Sequence, residues 1–377
     1  MSDFNLFQDI YRQIQLAGGS IPFSTFMETA LYHPTFGYYM RENIGFGMVG
    51  DFTTAPEISP LFARCIARQC LQILPLLKKS AILEIGAGSG RLAGEIIQTL
   101  ATDGYHLPHY FIYEISPTLR KQQQIYIKKH YPEKVHCFTW LEILPEHFVG
   151  IIIANEVLDA LPVDCFAIQN NKIFERQVAF NGKNFYWHLM QSDNPIFYHS
   201  IEKIRNRYQL DDYQSEINLR LPQYLQNLTQ HLQQGLILLI DYGYGERLYY
   251  HPERNQGTLT AFHHHERCDP LTKVGQQDLT AHVNFTQVAE IAHGASCVLE
   301  GFVTQAAFLL SCGLIAEAEK ASQNLNPEER MKMHQAIKLL TFPTEMGECV
   351  KVMALSKGIK KTPQLIGFAK QDRTREL

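Results

Sequence analysis

Apolar positions near the start of the chain, Phe4, Phe7, Ile10 and Ile14, recur at helical spacing, and Gly18-Gly19 ends that run. A second helix is predicted from about Ser24, where Thr25 and Glu28 have the spacing of a capping box. His33 to Ser59 follows neither period. It holds glycines, aromatics, prolines and Asp51, a pattern that predicts a long binding loop or lid. Helical periodicity returns from Pro60 to Leu77. Short apolar runs then alternate with amphipathic ones: strands at 81–85, 110–115, 135–139 and 149–154, and helices at 91–100 and 117–130. Strands alternating with helices at this spacing predict βαβ units and a parallel sheet. Between 163 and about 234 the period changes. Three strand-like runs, 163–169, 172–180 and 184–190, predict an antiparallel meander, with a helix near 222–231. A buried strand at 236–241 resumes the core. Strands at 298–303 and 349–356, with helices around 305–310 and 328–340, complete it.

The plan is an α/β nucleotide-binding core with an N-terminal cap and an inserted subdomain. The boundaries drawn are 1–80 for the helical cap and its glycine-rich, aromatic loop, 81–162 for the first half of the core, 163–234 for the α+β insert and 235–377 for the second half. The paired strands of the insert also offer a surface for a homodimer.

Charge and composition narrow the class. The chain has 377 residues, 45% hydrophobic and 19% charged, and its balance is 34 − 38 = −4. That gives no general attraction for nucleic acid or anionic lipid, so a nucleic-acid partner is not expected. No apolar run approaches the roughly 20 residues of a membrane span, and the N-terminus carries no secretory pattern. Eight scattered cysteines without a CxxC pair read as reduced core residues of a cytoplasmic protein.

The chemistry concentrates after the 81–85 strand, in Glu84-Ile85-Gly86-Ala87-Gly88-Ser89-Gly90. Glycines permit positive φ and close approach of a ligand, and the helix that follows offers free N–H groups. A purely structural turn is the bland alternative, but the strand-to-helix context favours binding. The third glycine falls one place early for the dinucleotide fingerprint. The carboxylate of Glu84 would repel a pyrophosphate, yet it suits a ligand with an ammonium or a positive sulfur, such as S-adenosylmethionine. Glu114 closes the next strand, where a carboxylate accepts from ribose hydroxyls. Asn155-Glu156 follows the fourth strand, with Asp159 three residues on. Ligands of open α/β sheets sit beyond the carboxyl ends of the strands. Helix capping is the alternative for Asn155 and Asp159.

These residues, with three further stretches, resemble the MidA/NDUFAF-seven family of class I S-adenosylmethionine-dependent methyltransferases. The further stretches are 37–39 with 50–60, 155–163, and 241–243 with 257–259 through 275–283. Ala63-Arg64, Val274 and Asn284 depart from the family pattern. The resemblance implies a Rossmann-like, mostly parallel seven-stranded sheet, with 242–284 as a substrate loop. It implies S-adenosylmethionine contacts at Glu84, Gly86, Ala87, Gly88, Gly90, Glu114, Ile115 and Asn155. It also implies methylation of a protein arginine; the mitochondrial branch dimethylates an arginine of a respiratory complex I subunit and supports assembly of that complex.

A guanidinium is a poor nucleophile, because its charge is spread and its pKa exceeds 12. Carboxylates can hold its fork, localise the charge and leave one nitrogen to attack. Glu156, Asp51 and Asp278 are the catalytic candidates, and Glu57, Asp159, Asp241, His264 and His282 the substrate-binding ones. The run His263-His264-His265 is not expected to bind metal, because adjacent strand residues point to opposite faces. The rival readings are a partner-binding assembly factor that keeps the cofactor fold without catalysis, a small-molecule methyltransferase and, last, a nicotinamide-dependent enzyme.

Overall fold

The computed structural model describes residues 5–41, 53–323 and 325–377. The chain forms two compact units whose segments alternate along the sequence.

One unit comprises 53–157, 223–244 and 285–377. Among the described residues this unit contributes seven strands to its sheet: β1 (Ala81–Ile85), β2 (Tyr110–Tyr113), β3 (Phe138–Leu141), β4 (Phe148–Asn155), β5 (Leu232–Tyr244), β6 (Val298–Thr304) and β7 (Val350–Lys357). The order across the sheet is β6-β7-β5-β4-β1-β2-β3. β5, β4, β1, β2 and β3 run parallel, whereas β7 is antiparallel to both β5 and β6. All five residues of β1 are buried, as a strand covered on both faces requires. Helices Pro60–Ile73 and Arg91–Thr102 pack against it through Phe62, Ile66, Leu92 and Ile96. Crossovers at β1–β2 and β2–β3 place the carboxyl ends of β1, β2 and β4 at one edge, where the order switches.

The other unit comprises 1–52, 158–222 and 245–284. Lys172–Phe180 is the centre of an antiparallel sheet. It pairs with Asp164–Gln169, Phe185–Met190 and Ser20–Pro22, and Asp164–Gln169 pairs with Tyr213–Ile217. Helices Leu6–Leu16 and Phe23–Tyr32 bury Ile10, Ile14, Phe23 and Phe26 against Val178 and Phe185. A second sheet joins Thr260–His263 to Glu266–Cys268 and Asp278–Thr280.

Several sequence expectations are corrected. Helix Phe23–Tyr32 starts one residue early, on Pro22, with no side-chain cap, so the Thr25/Glu28 box does not form. Ser24 lies inside the helix and donates to Asp164 at 2.5 Å. The predicted strand at 135–139 begins only at Phe138, because Pro132–Cys137 is a 3-10 helix. The segment from His33 to Ser59 is not wholly irregular: Tyr38–Met40 forms a 3-10 turn and Ala55–Ile58 a short helix. Helix Pro195–Tyr208, strand Tyr213–Ile217 and helices Phe285–Gly294 and Leu314–Ser322 were not foreseen. His264 and His265 are not strand residues. They form the two-residue turn of a hairpin at φ 50° and 64°.

Candidate cofactor and catalytic site

The turn after β1 carries Gly86, Gly88 and Gly90 at φ 63°, 51° and 84°. A side chain is strained at each, and a Cβ on Gly86 would also press on Val157 at 3.3 Å. Gly86 N–H donates to Tyr113 O at 2.9 Å, tying the turn to the end of β2. Helix Arg91–Thr102 then starts from Gly90 with no side-chain cap. Arg91 N–H, the first of the helix, donates to Ser89 Oγ at 3.4 Å, which leaves the amides of Leu92 and Ala93 at its positive end.

Two side chains hold this turn from outside. Glu57 accepts from the Ser89 hydroxyl and pairs with Arg91 Nε at 2.9 Å. Gln123 donates to Gly88 O at 3.0 Å. Glu57, expected on substrate, has its carboxylate engaged by the glycine turn and its helix.

Glu84 is 2% exposed and accepts from Tyr110 Oη at 2.7 Å. Burial pushes its carboxyl up to about 7, against the lowering effect of that hydrogen bond. Glu114, one residue beyond β2, is also buried. Its Oε1 accepts from Ser116 N and its Oε2 from Gln123 Nε2, each at 3.0 Å. Burial raises its pKa, and these donors oppose the shift. A carboxylate oxygen accepts two bonds, so both oxygens keep acceptor capacity. The neighbouring Ile115 side chain is half exposed.

β4 ends in Asn155, and Glu156 follows in a left-handed conformation, φ 52°. This backbone costs a non-glycine residue roughly 1–2 kcal/mol, so its surroundings must impose it. They do so from three sides. Glu156 N–H donates to Ile240 O at 2.8 Å. The next amide, Val157, donates to Asp241 Oδ2 at 3.1 Å, while Tyr242 N donates to Oδ1 at 2.8 Å. Glu156 Oε1 accepts from Asn155 Nδ2 at 3.2 Å and from Ala55 N at 3.4 Å. Asp241, expected on substrate, is thus 1% exposed and engaged by two backbone amides. Among the described residues none donates to the buried Asn155 Oδ1. A buried orphan acceptor at this edge fits a ligand that carries an ammonium group.

The remaining sequence candidates lie in the other unit or outside the described residues. Asp51 is outside them. Asp278 is 3% exposed and accepts from Tyr39 Oη at 2.8 Å. Asp159 is buried, and its carbonyl accepts from Ala281 N at 2.9 Å. His282 N–H donates to Thr258 Oγ1 at 2.9 Å. His264 stands exposed at the hairpin turn, its ring 4.2 Å from that of His263. Sequence reasoning missed Gln123, Ser89 and Arg91. The signal for Gln123 was present: it interrupts an i, i+4, i+8 stripe with Leu119 and Ile127, all buried.

The sheet order, the glycine turn at its switch point and the strand-end acid define a class I nucleoside-binding fold. A family model described as "Putative S-adenosyl-L-methionine-dependent methyltransferase" matches residues 65–303, and the chain belongs to that family. Two crystal structures of Burkholderia thailandensis protein are similar to it at 34% identity, each covering 99% of this chain and 96% of its own. One, bound to S-adenosyl-homocysteine, superposes with a TM-score of 0.91, and the native one with 0.89. Among curated relatives, the Drosophila melanogaster "Protein arginine methyltransferase NDUFAF7 homolog, mitochondrial" is 27% identical over 91% of this chain and 83% of its own. The Homo sapiens "Protein arginine methyltransferase NDUFAF7, mitochondrial" is 26% identical over 89% and 80%. The chain is an S-adenosylmethionine-dependent methyltransferase of class I fold. Among the described residues no helix is long and apolar enough to cross a membrane.

Proposed function

We propose that this methyltransferase transfers a methyl group to an arginine of a protein substrate, with Glu156 as the carboxylate that holds the guanidinium. The observation that carries this is the strained, firmly supported Glu156 at the carboxyl end of β4. The names of the animal relatives support the arginine class. When bound, S-adenosylmethionine supplies an electrophilic methyl on a positive sulfur.

The chain's own residues do the rest. Gly86, Ala87, Gly88 and Gly90 form the turn against which a nucleoside lies. Glu114 accepts from the ribose, with Ile115 beside the purine. Asn155 Oδ1 accepts from the ligand's ammonium, and Glu84, buried with its carboxyl raised to about 7, lies beneath the turn as a further cofactor contact. Glu156 grips two guanidinium nitrogens, localises the charge and leaves the third nitrogen a better nucleophile. Glu57 and Asp241 act through the backbone they hold. Asp159, Asp278, His264 and His282 of the other unit, with Asp51, are proposed contacts to the protein substrate.

The resemblance points to a subunit of a respiratory complex I as target. Cytoplasmic residence is likewise proposed, whereas the animal relatives carry "mitochondrial" in their names. Incubation with labelled donor and complex I subunits, followed by mass spectrometry, tests the reading. Addition of 14 or 28 mass units on arginine, about one or two methylene equivalents, supports it. Donor binding without any transfer supports the assembly-factor alternative.

A further inference from the structure

We propose that Gln123 is a positioning residue that couples the glycine turn to the ribose-binding carboxylate of Glu114. The inference rests on the cofactor reading above and deepens it. Gln123 is fully buried on helix Pro117–His130. Its Nε2 donates to Gly88 O and to Glu114 Oε2, both at 3.0 Å. Its Oε1 accepts from Trp140 Nε1 at 2.9 Å. An indole nitrogen only donates, so the amide oxygen must face Trp140 and both N–H groups must face the two acceptors. The amide has one orientation that satisfies every partner. Both of its protons are spent on the two structures that would meet the nucleoside.

The bond to Glu114 sets the rotation of the carboxylate. The backbone of Glu114 is held separately, by Arg120 Nη2 on its carbonyl at 2.7 Å. Loss of the Gln123 amide would therefore leave the strand end in place, with Oε1 still on Ser116 N, but loosen the carboxylate at Oε2. Oε2 would lose that donor and turn toward another partner. The bond to Gly88 O fixes the other wall, and the helix backbone at Gln123 lies 3.5 Å from where a Cβ on Gly90 would stand. One side chain thus registers the turn against the acid.

The readout is ribose discrimination, which a merely structural role would not move. S-adenosylhomocysteine and its 2′-deoxyribose analogue are titrated by calorimetry into the full chain, the Gln123→Met variant and the Trp140→Phe variant. A hydrogen bond to a charged group corresponds to about tenfold or more in affinity, so the unaltered protein should prefer the ribose ligand by about that factor. Gln123→Met should bring the preference to about twofold or less. Trp140→Phe should lower it in the same direction by a smaller factor. An unchanged preference in folded Gln123→Met overturns the inference while leaving the cofactor reading intact. Should that variant not fold, an unchanged preference in Trp140→Phe overturns it equally. Unaltered protein that binds neither ligand, or binds both alike, overturns the ribose contact and the inference with it.

Discussion

The Asp241 carboxylate closes the turn that carries Glu156: its Oδ2 accepts from Val157 N at 3.1 Å, one residue after the left-handed position. Asp241 ends the buried run of β5 and Glu156 follows β4, its neighbour in the sheet. The catalytic candidate is thereby held by the adjacent strand. Asp241→Ala removes acceptors from two backbone amides. Unsatisfied buried donors cost about 1–3 kcal/mol each, so the variant should unfold at markedly lower urea and lose transfer. Asp241→Asn keeps an amide oxygen as acceptor and should recover part of both. Urea midpoints equal to those of the unaltered protein would count against this role.

Glu156→Gln keeps the shape and removes the charge. A neutral amide cannot localise guanidinium charge, so kcat should fall about 100-fold or more. Donor affinity should stay within about threefold, since Glu156 is assigned to the acceptor. Steady-state kinetics with an arginine peptide, paired with calorimetry of S-adenosylhomocysteine, separate the two effects. Undiminished turnover would remove Glu156 from catalysis.

Glu84 predicts a pH dependence of stability. Its folded carboxyl titrates near 7, against an ordinary 4.5. Between those values the folded chain holds a proton that the unfolded chain has lost, so stability falls as pH rises through the window and levels off above it. The shift, 7 − 4.5 = 2.5 at about 1.36 kcal/mol per unit, corresponds to roughly 3 kcal/mol. Glu84→Gln removes the titration and keeps an acceptor for Tyr110. Its stability relative to the unaltered chain should improve steadily from pH 5 to 7.5. A constant difference across that range would contradict the shifted carboxyl.

Much of the core was legible in the sequence. β1 and helix Pro117–His130 fall where periodicity put them, because full burial and clear ends leave little freedom. The glycine turn was legible for a similar reason: three positive-φ residues need glycine. What escaped depends on distant partners. Nothing near Glu57 in the chain shows that Ser89 and Arg91 will claim its carboxylate. For Asp241 one donor, Tyr242 N, is its chain neighbour, but the other, Val157 N, lies 84 residues away in the chain. Strand Tyr213–Ile217 was missed because a polar run, Gln214-Ser215-Glu216, hides its burial. Glu216 is stabilised there by Tyr249 and Thr258. Long-range polar partners, unlike apolar periodicity, leave no local trace.

Calorimetry with S-adenosylhomocysteine tests most directly whether a nucleoside lies against the Gly86 turn. The comparison is between the unaltered chain and Gly86→Val, whose branched side chain meets both a φ of 63° and Val157. The prediction is a saturable heat for the unaltered protein and none for a folded Gly86→Val variant. Equal affinity in both would contradict it.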